Sequence, residues 1–278
     1  MMVTVLGGKN LTNPRIINVI SNKNLESKRT SKELAEKLTA KGFTVKYQYD
    51  VNAELNICVG GDGSFLRAIH RNKFPTIPFV GINTGHLGFF QEILPENIDD
   101  FIHKYMNKQY ITEEISLVDA EVCTKEKCYY LSGLNEIVVK GARSKVIHMD
   151  VYIDGNHLEN FCGDGMIIST PSGSTAYNFS VGGSIIYPTL NTMQVTPLAP
   201  ISSAAYRSLL NSVVVPGEST VALKLRHRHT NSTLIVRDGV EFKYNNLDRI
   251  NFTISDKKIY KLIFDKNMYW SNLKSKFL

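Results

Sequence analysis

The sequence predicts an α/β N-terminal domain built on a parallel sheet, followed by an all-β C-terminal sandwich domain. Three observations carry this. Short apolar strands alternate with helical patterns up to about residue 110, and helical periodicity then almost disappears from Ile111 onward. The chain, at 278 residues, is also long enough for two hydrophobic cores. We therefore expect residues 1–110 to form the first domain, 111–264 the second, and 265–278 to pack back on the first.

Ile16 to Ile20 reads as the first strand. Thr30-Ser31-Lys32-Glu33 offers a capping box to a helix that turns Leu34, Ala35 and Leu38 inward, and Gly42 stops it. Phe43 to Tyr47 and Leu55 to Val59 follow as strands. A helix then runs to about Arg71, Phe79 to Ile82 is a fourth strand, and Glu96 to Met106 is a helix with Ile98, Phe101, Ile102 and Tyr105 on its inner face. In the second domain, β-rich segments recur at Leu117 to Cys123, Cys128 to Leu131, Ile137 to Val139, Met149 to Ile153 and Met166 to Ile168. Asp154-Gly155 and Asp238-Gly239 sit between such segments and read as hairpin turns.

Lys plus Arg number 32 against 26 Asp plus Glu, a net charge of +6 spread along the chain, which gives no stripe for nucleic acid. The densest patch, Arg226-His227-Arg228-His229, is short and reads as a solvated strand end or loop. Mild basicity suits a polyanionic small substrate. The four cysteines, Cys58, Cys123, Cys128 and Cys162, have no metal-ligand spacing and suggest reduced thiols rather than a disulfide framework or a zinc site. The opening Met1-Met2-Val3-Thr4-Val5-Leu6 has no basic region, and no later run approaches a membrane span, so a soluble, cytoplasmic protein without membrane partners is expected.

The chemistry concentrates in two stretches. Ile57-Cys58-Val59-Gly60-Gly61-Asp62-Gly63-Ser64 reads as strand, tight turn and helix start. Its glycines let the backbone take positive φ and let an anionic group lie against bare main chain, with helix N–H groups aimed at it. Asp62 would repel a phosphate there unless a divalent cation bridges the two or the carboxylate takes a proton from an attacking hydroxyl. The turn also fits, less well, an N-cap aspartate with no ligand. A second glycine-punctuated loop, Asn83 to Phe90, follows the next strand, and its Phe89 and Phe90 are either core or a stacking wall for a base.

The longest constellation is Gly163-Asp164-Gly165 through Ser172-Gly173-Ser174-Thr175-Ala176-Tyr177-Asn178-Phe179-Ser180. A strand from Met166 enters a Pro-Ser-Gly turn, then a hydroxyl-rich opening that can hand N–H groups and hydroxyls to a ligand. Alone, it is also an ordinary hydroxyl-rich turn.

Together with Asn135-Glu136 and Gly182-Gly183, these blocks resemble the NAD kinases of bacterial type, in the family's order and over roughly residues 15 to 275. The resemblance implies a Rossmann-like first domain, a β-sandwich second domain, a homotetramer, and transfer of the terminal phosphoryl group of ATP, or of polyphosphate, to the adenosine ribose 2′-hydroxyl of NAD, with Mg²⁺ as the divalent cation. By the same resemblance Asp62 is the proton acceptor. Gly63, Phe89, Asn135, Glu136, His148, Asp164, Ser172, Thr175, Ala176, Tyr177, Asn178, Phe179, Ser180 and Ala199 are then substrate contacts. Departures are Ser64 where the family usually has Thr, Cys162 where relatives are often basic, and Val240 where several carry Gln. Diacylglycerol kinases and phosphofructokinases share the Gly-Gly-Asp-Gly turn, but the Gly163 to Ser180 block argues against both.

Overall fold

The computed structural model describes residues 14–86, 88–202, 207–226 and 232–278. Met1 to Leu6, Leu87, and His227 to His229 of the basic patch lie outside the described residues. The chain divides into two compact units: one runs to Thr112 and includes Lys261–Leu278, and the other is Glu113–Tyr260.

In the first unit β1 (Ile16–Ser21), α1 (Leu25–Ala40), β2 (Thr44–Lys46), β3 (Leu55–Gly60), α2 (Asp62–Arg71), β4 (Phe79–Asn83) and α3 (Ile98–Met106) alternate. The strands pair in parallel in the order β2-β1-β3-β4. Every residue of β3 and β4 is buried, as in a parallel sheet covered on both faces. Leu34 and Leu38 of α1 and Phe101 and Ile102 of α3 join Ile57, Val59 and Ile82 in one core cluster. The expected capping box is not used. Asn24 Oδ1 accepts the Ser27 N–H at 2.7 Å, so α1 starts earlier, and Ser31 lies inside it with its hydroxyl donating to Ser27 O. A strong cap followed by Leu25 to Arg29, which contain no helix breaker, outweighs the later signal.

The second unit holds all but the first two residues of β5 (Ile111–Thr124), β6 (Cys128–Gly133), β7 (Glu136–Gly141), β8 (Ile147–Ile153), β9 (Asn156–Gly163), β10 (Gly165–Ser169), the one-turn α4 (Tyr177–Ser180), β11 (Thr192–Leu198), β12 (Val213–Pro216), β13 (Val221–Leu225), β14 (Thr233–Arg237), β15 (Val240–Lys243) and all but the last three residues of β16 (Leu247–Ile263). One sheet carries β6-β5-β16-β13-β8-β9, the other β12-β11-β10-β7-β14-β15. Alternate residues of both, among them Ile137, Val139, Met166, Ile168, Met149, Val151, Leu223 and Phe252, point into one buried cluster, which makes a sandwich. Asp154-Gly155 and Asp238-Gly239 turn hairpins with all four φ values positive, as a type I′ turn demands.

One expectation about cysteine is corrected. Cys123 and Cys128 stand directly opposite each other across the β5–β6 hairpin and form a disulfide. Their spacing alone gave no hint, because only the hairpin register makes them partners. Cys58 and Cys162 are free and buried, and burial pushes the Cys58 thiol up.

Candidate active site

In the first unit the Asp62 turn is built by β3 running into α2. Gly60, at φ 154°, is the glycine that the fold itself requires, since a Cβ there would stand 2.5 Å from Ser64 Oγ. A Cβ at Gly61 would meet nothing within 4 Å, and one at Gly63 only the tip of Arg67 at 3.4 Å, so space remains open over the turn. Gly61 occupies the N-cap position, which removes the reading of Asp62 as a cap. Asp62 is half-buried, and its carboxylate is held from across the sheet edge: Phe89 N–H donates to Oδ2 at 2.9 Å and Phe90 N–H to Oδ1 at 3.0 Å. Thr84 N–H donates to Gly60 O at 3.1 Å, which ties the loop after β4 to the turn. Phe90 is core, stacked on Phe65 at 4.8 Å, so half of the suggested stacking wall is withdrawn. Phe89 is half-buried against Tyr269 and Phe277 of α5 (Met268–Phe277), with Lys276 Nζ 4.9 Å from its ring.

In the second unit Asn135 and Glu136 open β7 and are both buried. The Asn135 carbonyl accepts Thr170 N–H at 2.9 Å, and Gly173 lies so close to that carbonyl that a Cβ would collide with it. This close approach packs the Ser172 turn onto Asn135. Asp238 completes the arrangement. Its carboxylate accepts N–H groups from Leu134, Asn135 and Glu136 at 2.7, 2.8 and 3.1 Å, fixing the entry of β7. Sequence reasoning read Asp238 only as a turn residue, because nothing local links it to a segment a hundred positions upstream. Asn135 Oδ1 and Glu136 Oε2 are buried with no hydrogen-bond partner among the described residues, a state that a bound polar ligand would relieve. Burial, with the Asp238 charge nearby, pushes the Glu136 carboxyl up to about 8.

The Ser172–Thr175 turn and α4 divide into exposed and locked residues. Tyr177 and Phe179 are 45% and 36% exposed, Ser180 is exposed, and Ser172 and Ala176 are half-buried. Thr175 is buried, its hydroxyl donating to Ser172 O at 3.4 Å. Asn178 is fully buried and both of its polar atoms are bonded: Nδ2 donates to Gln194 Oε1 at 2.7 Å and to Ser174 O at 3.3 Å, while Oδ1 accepts the Thr196 hydroxyl at 2.6 Å. Its side chain holds the turn together, since both of its polar atoms are bonded within the protein.

Asp164, Tyr177 and Ala199 line one cavity of about 500 Å³, together with Lys140, Arg143 and Lys145. Ala199 sits there at φ 42°, a strained conformation of the kind that clusters at functional sites. The three cations were not singled out from sequence, although three basic residues in the six after Val139 were a usable signal. His148 is buried, with Nε2 3.6 Å from Cys162 Sγ on the neighbouring strand. The structure thus gathers Asn135 and Glu136 with the Ser172 turn, and Asp164 with Tyr177 and Ala199. In the other unit Asp62 and Gly63 share the turn, which the Phe89 main chain meets.

Comparison with known proteins identifies the family and the fold. Residues 18–110 match the ATP-NAD kinase N-terminal domain and residues 134–263 the ATP-NAD kinase C-terminal domain. The chain is 53% identical over 270 residues to an NAD kinase of Finegoldia magna, covering 96% of this chain and 99% of that one. It is 35% identical to an NAD kinase of Staphylococcus epidermidis, covering 82% and 85% of the two chains. In shape it resembles the yeast NADH kinase complexed with NADH, with a TM-score of 0.80 at 19% identity over 95% of this chain and 88% of that one. It likewise resembles an Archaeoglobus fulgidus NAD kinase in complex with ATP, with a TM-score of 0.74 at 24% identity over 94% and 99%. With both domain models matched and a relative above half identity along nearly its whole length, the chain belongs to the NAD kinase family.

Proposed function

We propose that the protein phosphorylates NAD at the adenosine ribose 2′-hydroxyl with ATP as donor, releasing NADP and ADP. The observation that carries the reading is the Asp62 turn: a carboxylate fixed by two backbone N–H groups beside open space over Gly61 and Gly63. In the proposed step the 2′-oxygen attacks the terminal phosphorus while the bond to the bridging oxygen breaks, and Asp62 takes the hydroxyl proton. Such transfer needs positioning and charge neutralisation more than covalent chemistry. Asn135 and Glu136, with their unsatisfied buried oxygens, and Asp164, Ser172, Tyr177 and Ala199 are assigned to NAD, and Lys140, Arg143 and Lys145 to its phosphates. Main-chain groups and apolar contacts of Thr175, Ala176, Phe179 and Ser180 complete that assignment, with Phe89 and His148 as supporting contacts.

A divalent cation, Mg²⁺, fits a site of this kind when it enters with the nucleotide. Among the described residues, the one group of three ligand-type side chains close enough to hold an ion is Glu121 with Cys123 and Cys128, and those cysteines are bonded to each other. Mg²⁺ commonly relies on one or two carboxylates plus substrate phosphates, and Asp62 is the carboxylate at the turn. Bound there, it would supply neutralisation of phosphate charge. A homotetramer in the cytoplasm is part of the same proposal. The test is a coupled assay offering NAD, NADH, diacylglycerol and fructose 6-phosphate with ATP and Mg²⁺. NADP formation from NAD is expected, and turnover of the lipid or the sugar phosphate alone would overturn the reading.

A further inference from the structure

We propose that Lys261 and Asn272 are positioning residues for Asp62, acting on its carboxylate through two consecutive peptide groups. The inference rests on the reading of Asp62 as the proton acceptor. The Gly88–Phe89 peptide donates its N–H to Asp62 Oδ2 at 2.9 Å, and its carbonyl accepts Asn272 Nδ2–H at 3.0 Å. The next peptide, Phe89–Phe90, donates its N–H to Asp62 Oδ1 at 3.0 Å, and its carbonyl accepts Lys261 Nζ–H at 2.9 Å. Each rigid peptide plane is gripped at both ends, so the two planes set the position and tilt of the carboxylate. A donor on a carbonyl oxygen also polarises the peptide and strengthens its N–H as a donor, more so when the donor is charged.

The surroundings support a positioning role. Lys261 is 4% exposed and Asn272 3% exposed, so neither grip is loosened by water. Lys261 also pairs with Glu92 at 2.6 Å, both side chains largely buried. A buried ion pair is weak evidence for stability, since apolar replacements of similar volume are often as stable. The contact from Lys261 to Phe89 O gives this pair a different purpose. Gly88 fits the same design, because a Cβ there would run into the Asp62 carboxylate. The C-terminal helix α5, remote in sequence, thereby reaches the chemistry through one amide.

The test uses the full chain with Asn272→Leu, with the double variant Lys261→Met/Glu92→Gln, which leaves no stranded charge, and with Lys261→Arg. Turnover is normalised to NAD-binding stoichiometry from calorimetry, so that misfolded protein is not counted. Asn272→Leu and the double variant should lower kcat about 10- to 100-fold with KM for NAD and ATP within about twofold, because a small misplacement of a reacting group acts on turnover. Lys261→Arg, which keeps a cation at the carbonyl, should retain most turnover. Unchanged kcat in both impaired designs, or a raised KM with unchanged kcat, would overturn the proposal, and a Lys261→Arg enzyme as slow as the double variant would remove Lys261 from it. Asp62→Asn is measured in the same series. Full activity there defeats the proton-acceptor reading itself, whereas an inactive Asp62→Asn beside unaffected Asn272→Leu and double variants defeats only the positioning role.

Discussion

Replacing Asn178 by alanine should damage the fold of the second unit rather than the grip on NAD. The side chain makes two short buried hydrogen bonds, to Gln194 Oε1 at 2.7 Å and from Thr196 at 2.6 Å, and longer ones to Ser174 O at 3.3 Å and Ser184 O at 3.5 Å. Each buried hydrogen bond is worth about 0.5–1.5 kcal/mol net, and a stranded partner adds about 1–3 kcal/mol. Thr196 has an alternative acceptor in Gln194 Oε1 at 3.3 Å, and Gln194 keeps its own bond to Ser184 O at 3.1 Å, so stranding is partial. The expected loss is about 2–4 kcal/mol, or roughly 5–15 °C in the melting temperature of a unit of this size. Differential scanning calorimetry, with NAD titration of the folded fraction at low temperature, separates the two roles. An unchanged melting temperature with weakened NAD binding would refute the reasoning, since it would mean that the amide serves the ligand.

Glu136 gives a pH signature. The folded unit keeps its proton up to about pH 8, whereas the unfolded chain releases it near the ordinary value of 4.5. The raised folded value means that this group's contribution is fully present below pH 4.5 and is lost as pH rises to about 8, at up to about 1.4 kcal/mol per pH unit. Glu136→Gln should remove that slope from denaturant unfolding measured between pH 5 and 8, and an identical slope in both proteins would count against it. Gly173→Ala should push the Ser172 turn off Asn135 and lower both stability and NAD affinity, whereas Gly61→Ala, in open space, should leave stability within about 0.5 kcal/mol and act on nucleotide binding. Thermal melts paired with NAD titrations of the two variants decide, and equal stability losses would contradict the distinction.

Much of the architecture was legible because its signals are local. The alternation of β3, α2 and β4 follows from apolar runs punctuated by glycine, and the two Asp-Gly turns name their own hairpins. The place of Asp62 was legible for the same reason: a carboxylate among glycines marks the turn from β3 into α2, and it stands there. What was not legible depends on partners distant in the chain. Asp238 holds amides at Leu134 to Glu136, the Cys123–Cys128 bond depends on hairpin register, and Asn178 is consumed by Gln194 and Thr196 on a strand that follows it. A short-range motif marks Asn178 as part of a functional block but does not distinguish a residue that shapes the block from one that touches the ligand.

The most direct test of the central claim is Asp62→Asn, assayed for NAD binding and for turnover on the same preparation. The amide keeps the side chain's size and removes the proton acceptor, although it must re-form its bonds to Phe89 and Phe90 N–H through a single oxygen. NAD should bind with affinity within about threefold of the parent, while kcat falls about 10²- to 10⁴-fold, the usual scale for loss of a general base. A variant that binds NAD and turns it over at a rate near the parent's would contradict the role given to Asp62 and the mechanism built on it.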